Sequence, residues 1–148
     1  MSTRAIIKAR DSEETWSLYC HRDGYPSHLG RMVLDFVELA PRIDPNNKYY
    51  QRGDSKDSYN PYQFIPNVSL EAGKFIASLA GYLWQQGYTS AYMTSRNPRE
   101  EREKGGTDIE WLYEVVLGDR LAVQVFKLTS DDFAPVDGEQ LQRELKGE

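Results

Sequence analysis

The sequence predicts an α+β fold: one domain with a mostly antiparallel sheet of about five strands, element order ββααβββ, and two helices packed on one face. Three observations predict it. Two short alternating segments open the chain, two apolar stripes at helical spacing occupy its middle, and three alternating segments follow.

Residues 5–9 and 15–21 read as strands, the second with Trp16, Leu18 and Cys20 alternating against Thr15, Ser17, Tyr19 and His21. The polar link Asp11-Ser12-Glu13-Glu14 makes the pair a hairpin. Asp23-Gly24 is a turn dipeptide, Pro26 and Ser27 are helix start signals, and Leu29, Met32, Val33, Phe36, Val37 and Ala40 then recur at helical spacing until Pro41. Over 41–67 the pattern vanishes in a long Tyr- and Pro-rich loop, and connections of that length are often functional. Ser69 is expected to cap a second helix, whose Ala72, Phe75, Ile76, Leu79, Ala80, Leu83 and Trp84 form a stripe closed by Gly87.

Three strands are expected over 89–95, 108–116 and 120–128. The last two are joined by the hairpin signal Leu117-Gly118-Asp119, and a long charged loop over 97–106 separates the first two. In the middle strand Ile109, Trp111, Tyr113 and Val115 share a face, opposite Asp108, Glu110, Leu112 and Glu114. Residues 131–148 form a tail with room for one short helix over 139–145. No internal repeat and no second domain is visible, so residues 1–148 read as one unit.

A chain of 148 residues, 39% apolar and 28% charged, can bury a core without staples, and the single Cys20 excludes an internal disulfide. The first ten residues hold two Ile and two Ala among basic residues, short of the apolar run that a signal peptide or a membrane span requires. A reducing cytoplasm is the expected location. The balance of 18 basic to 23 acidic residues, net −5, argues against direct nucleic-acid binding and favours a partner protein with a basic surface.

The densest set of reactive groups is Cys20-His21-Arg22-Asp23-Gly24-Tyr25-Pro26. A Cys-His-Asp set can support nucleophilic catalysis, but alternation sends Cys20 and His21 to opposite faces, so no catalytic residue is assigned. Asp23 is expected to accept backbone hydrogen bonds near the helix start, which leaves His21, Arg22, Asp23 and Tyr25 as candidate binding residues, with Arg4 and Asp108 brought close by neighbouring strands. Two histidines and one cysteine match no metal signature, and no cofactor motif is complete. Tyr49, Tyr50, Tyr59 and Tyr62 form a second candidate surface, since Tyr is enriched at interface hot spots. Arg96, Arg99 and Arg102, within a run of alternating charge, are placed to grip an anion.

The strand Ser2-Thr3-Arg4-Ala5-Ile6-Ile7, the turn Tyr19 to Pro26 and the segment Asp108-Ile109-Glu110-Trp111-Leu112-Tyr113 resemble a group of small proteins carried by phages and other mobile elements. The group's turn reads His-Trp-Asp-Gly-Tyr-Pro. Here Arg22 replaces the Trp, so no aromatic role carries over to that position, whereas His21, Asp23, Gly24, Tyr25 and Pro26 match. The resemblance covers about a fifth of the chain. It implies a phage or mobile-element origin, and with it a non-enzymatic inhibitor of a host protein in the host cytoplasm, of the anti-defence or anti-CRISPR kind. The alternative is a small-ligand or nucleotide-handling domain built on the turn.

Overall fold

The computed structural model describes residues 3–39, 71–118, 121–130 and 132–147. β1 (Arg4–Arg10) and β2 (Thr15–Cys20) form the expected hairpin, with Ala5 opposite Cys20 and Arg10 opposite Thr15. The link closes on Asp11, whose Oδ1 accepts from the backbone N–H groups of Glu13 and Glu14 at 2.7 Å each. Pro26 opens a π-helical turn, Pro26–Gly30, that continues as α1 (Arg31–Leu39). Next come α2 (Ala72–Gln85) and β3 (Ala91–Thr94), then α3 (Pro98–Glu103) and β4 (Ile109–Leu117). β5 (Leu121–Leu128), β6 (Phe133–Pro135) and α4 (Gly138–Leu145) complete the described chain.

The α+β class stands, but the sheet differs from the expected one. It has six strands in the order β3-β2-β1-β4-β5-β6, and β1 lies parallel to β4, so the sheet is mixed rather than mostly antiparallel. The physical reason lies in the two central strands. Ala5, Ile6, Ile7 and Ala9 are all 0% exposed, the near-continuous apolar run of a strand covered on both faces, and β4 is buried in the same way. Four helices are present among the described residues: the two expected to pack on the sheet, the short one expected over 139–145, and one unexpected. The segment expected as a charged loop holds α3: the Asn97 side chain accepts from the Glu100 N–H at 3.3 Å and Pro98 stands at the first helical position.

One face carries the larger core. Leu29, Val33 and Phe36 of the first helical stretch and Phe75, Ile76, Leu79 and Leu83 of α2 lie over Ala5, Ile7, Leu18, Trp111, Tyr113 and Val115. Each such large side chain contributes about 1.5–3 kcal/mol by leaving water. Phe36 and Phe75 meet edge-on, with ring centroids 5.3 Å apart. α2 ends as Gly87 predicts: at φ +85 it donates to the Trp84 carbonyl, while Tyr88 donates to that of Leu83. Its start is different. The N-cap is Glu71, whose side chain makes no capping hydrogen bond, and the first amides are held across the fold, Ala72 N–H by Asp11 Oδ2 at 2.8 Å and Gly73 N–H by Glu14 Oε1 at 3.1 Å. Ser69 lies outside the described residues.

The opposite face carries a smaller cluster of Ile6, Tyr19, Ile109, Leu112 and Phe133. Ile109 and Leu112 share it because the β1–β4 register passes from Arg4–Ile109 to Ala5–Trp111 and skips Glu110. That bulge shifts the phase of β4 by one residue and corrects the place of Ile109, expected with Trp111, Tyr113 and Val115, whereas Leu112 lies opposite those three as expected. Among the described residues no helix is long and apolar enough to cross a membrane.

Candidate functional site

The turn that joins β2 to the helices is held by its backbone. Gly24 N–H donates to the Thr3 carbonyl at 2.9 Å, and the Gly24 carbonyl accepts from the buried Tyr113 hydroxyl at 2.7 Å. The Arg22 carbonyl accepts from the Tyr88 hydroxyl at 2.5 Å. Asp23 sits at φ +53, a left-handed conformation that Asp tolerates, and lets Gly24 press onto β1 so closely that a Cβ there would stand 2.7 Å from that of Ala5. Among the described residues Asp23 caps nothing through its carboxylate: its backbone carbonyl accepts from Leu29 N–H at 3.3 Å, and the π turn has no side-chain cap.

Its side chains diverge. Cys20 is fully buried on the helix-covered face, and burial pushes its thiol up to about 12, against a small opposing effect of a hydrogen bond with Tyr88. A thiol so placed is no nucleophile at neutral pH. His21 is exposed and points the other way, its Nδ1 2.9 Å from the Tyr19 hydroxyl. Arg22 is exposed, while Tyr25 is 38% exposed and packs its ring against His28, which in turn contacts Tyr88. His21 and Tyr25 therefore do not converge.

Arg4 and Asp108 do come together, at 3.5 Å, but as members of an ion network that anchors α3. The Arg96 guanidinium grips Glu101 with two hydrogen bonds of 2.8 and 2.7 Å and Asp108 with one of 2.6 Å, and it lies 5.1 Å from the Tyr19 ring centroid. Thr107 Oγ1 donates to Glu101 Oε1 at 2.8 Å. The Arg96 and Thr107 hydrogen bonds hold the Glu101 carboxyl below its ordinary value despite some burial. Arg102 is occupied elsewhere, donating to the Ser130 carbonyl.

Between this network and the open end of the sheet lies a groove of about 710 Å³. Ile6 and Leu112 line it together with Lys8, Ser17, Thr94, Arg96 and Arg99, and Trp16 and Met93 reach it from the border. None of His21, Arg22, Asp23 and Tyr25 lines it. β3 is the outermost strand on that side, and Tyr92 and Met93 stand 60% and 48% exposed on it. Sequence reasoning missed Lys8, Ser17 and Thr94. Lys8 was the available signal: it is the one charged residue inside the apolar run 5–9. Tyr49, Tyr50, Tyr59 and Tyr62 lie outside the described residues. Among those described, no three His, Cys, Asp or Glu converge to hold a metal ion. No protein-family model matches the chain, and no curated protein or solved structure matches it either.

Proposed function

We propose that the protein is a non-enzymatic binding module that acts by occupying a surface of another protein. Its setting is the one the resemblance implies, a phage or mobile-element factor inhibiting a host protein or complex, such as a component of CRISPR defence. One observation carries the docking mode: β3 ends the sheet, no strand among the described residues pairs with its outer side, and it carries the exposed Tyr92 and Met93. An extended segment of a partner adds to such an edge through main-chain hydrogen bonds, while Tyr, Trp and Met side chains supply contact energy. Trp16, 44% exposed, adds a third large side chain near this end of the sheet, with its indole beside Gly73 of α2. The net charge of −5 favours a partner with a basic surface, which long-range attraction brings in faster.

The test is capture of a host protein by the immobilised chain, repeated with Tyr92→Lys, Met93→Lys and, as a control on another element, Trp84→Lys on α2, 66% exposed. The expected result is one protein retained by the wild type and by Trp84→Lys, lost with both edge variants. In parallel, phage plaquing on a defence-bearing host should recover only with variants that retain the partner. Retention of nothing but the bait, or equal retention by all variants, overturns the reading.

A further inference from the structure

The chain carries 23 acidic residues to 18 basic ones, yet among the described residues no carboxylate lines the groove beneath α3. Its charged lining residues are Lys8, Arg96 and Arg99. They differ in what they have left to offer. Arg96 is taken by Glu101 and Asp108. Arg99 lies over the Phe126 ring at 4.7 Å, with Asp132 only at 3.9 Å. Lys8, half-buried, has no hydrogen-bond or ion-pair partner among the described residues, because Glu114, opposite it on β4, is held by Arg10 Nε at 2.7 Å. Ser17, opposite Lys8 on β2, is 8% exposed.

An ammonium in a concave site without a counter-ion attracts an anion more strongly than one on an open surface, since low-dielectric walls focus its field. Beside it the buried Ile6 and Leu112, 0% and 2% exposed, close the base of the groove, and its volume of about 710 Å³ falls within the usual range of small-molecule sites. We propose that this groove binds a small organic anion, its charged head on Lys8 and the Ser17 hydroxyl and its body filling the rest of the groove. The head can be a carboxylate or a phosphate monoester. The proposal is independent of partner docking at β3.

Calorimetric titration with benzoate, phenyl phosphate, benzylamine and benzyl alcohol tests it. At least one of the two anions should bind, with an affinity that falls as salt rises, while the amine and the alcohol bind at least about tenfold more weakly, as expected when one charge-assisted hydrogen bond decides. Which anion binds tells carboxylate from phosphate. Lys8→Gln should weaken that anion by about tenfold or more with little change in Tm, because the ammonium holds no partner among the described residues. Trp84→Lys, on α2 over the other face of the sheet, should leave the titration unchanged. Failure of both anions, equal binding of the amine, salt-independent affinity or an unaffected Lys8→Gln would each overturn the site, and the salt and probe series decide on the wild-type chain even if that variant does not fold.

Discussion

Removing one oxygen atom, in Tyr113→Phe, should cost about 2 kcal/mol. The Tyr113 side chain is 0% exposed and its hydroxyl donates to the carbonyl of the buried Gly24 at 2.7 Å. Phenylalanine fills the same space, so the cavity contribution is small, but the Gly24 carbonyl is left without its partner. A buried acceptor in that state costs about 1–3 kcal/mol, partly offset by the more favourable burial of the apolar ring. For a chain of this length about 2 kcal/mol lowers Tm by roughly 4–8 °C. Urea unfolding followed by Trp fluorescence reads it, with Tyr92→Phe, at a 60% exposed edge position, as the control expected within about 0.5 kcal/mol of the wild type. Gly24→Ala probes the same point from the other side: its Cβ would meet that of Ala5 at 2.7 Å, so the turn must lift from β1, at a cost of about 1–3 kcal/mol. Lifting it also stretches the Tyr113 bond. The two substitutions should therefore be less than additive by more than about 0.5 kcal/mol. Full additivity, or a Tyr113→Phe variant as stable as the wild type, would refute the view that this hydrogen bond fixes the turn.

Two further outcomes follow from groups whose ionisation the fold shifts. Cys20, raised from 9.0 to about 12 chiefly by burial, should react with iodoacetamide at pH 8 only through unfolding, roughly a thousandfold more slowly than in urea. The same shift means that the folded chain binds a proton the unfolded chain releases, so stability is full below about pH 9 and declines toward pH 12, a loss that Cys20→Ala should reduce. Asp11 moves in the other direction: hydrogen bonds from the Ala72, Glu13 and Glu14 amides hold its carboxyl below the ordinary value, so its contribution is present above the usual carboxylate range and is lost as pH falls through the lowered value. Asp11→Ala should speed hydrogen exchange at Ala72 and flatten that acid limb, and an unchanged Ala72 exchange rate would show that α2 does not depend on this cap.

How much of this was legible depended on whether a feature is local. The α2 stripe and its Gly87 stop are written into consecutive residues, and both are present, except that Trp84, expected in the stripe, is 66% exposed while Tyr82 is buried in its place. Strand alternation separated Cys20 from His21 correctly, since it encodes which face a residue takes. It does not encode which strand lies alongside, so the parallel β1–β4 pairing was invisible, and the skipped Glu110 reversed the faces of everything before it. β6, three residues long, is too short for any period to show. The start of α3 was legible in Asn97-Pro98 with Glu100 and Glu101 in the first turn, and only its lack of apolar residues made it read as a loop. At the candidate site, Arg4 and Asp108 were joined correctly across strands. The cap on α2 from Asp11 and the groove around Lys8 required the tertiary fold.

The groove exists because the two faces of the sheet are covered unequally. α1 and α2 seal one side over a core that runs from Ala5 to Val125. Among the described residues the other side has only the six-residue α3, clamped down by Arg96 between Glu101 and Asp108 above Tyr19. Where that short roof stops, β1 still presents its outward residues, Ile6 and then Lys8. An apolar residue at position 8 would continue the outer cluster of Ile6 and Leu112 and gain stability by burial. The chain instead keeps a half-buried cation there, and spends Arg10 rather than Lys8 on Glu114. A local choice that runs against stability, on an otherwise apolar central strand, is the pattern expected where a residue is retained for what it binds.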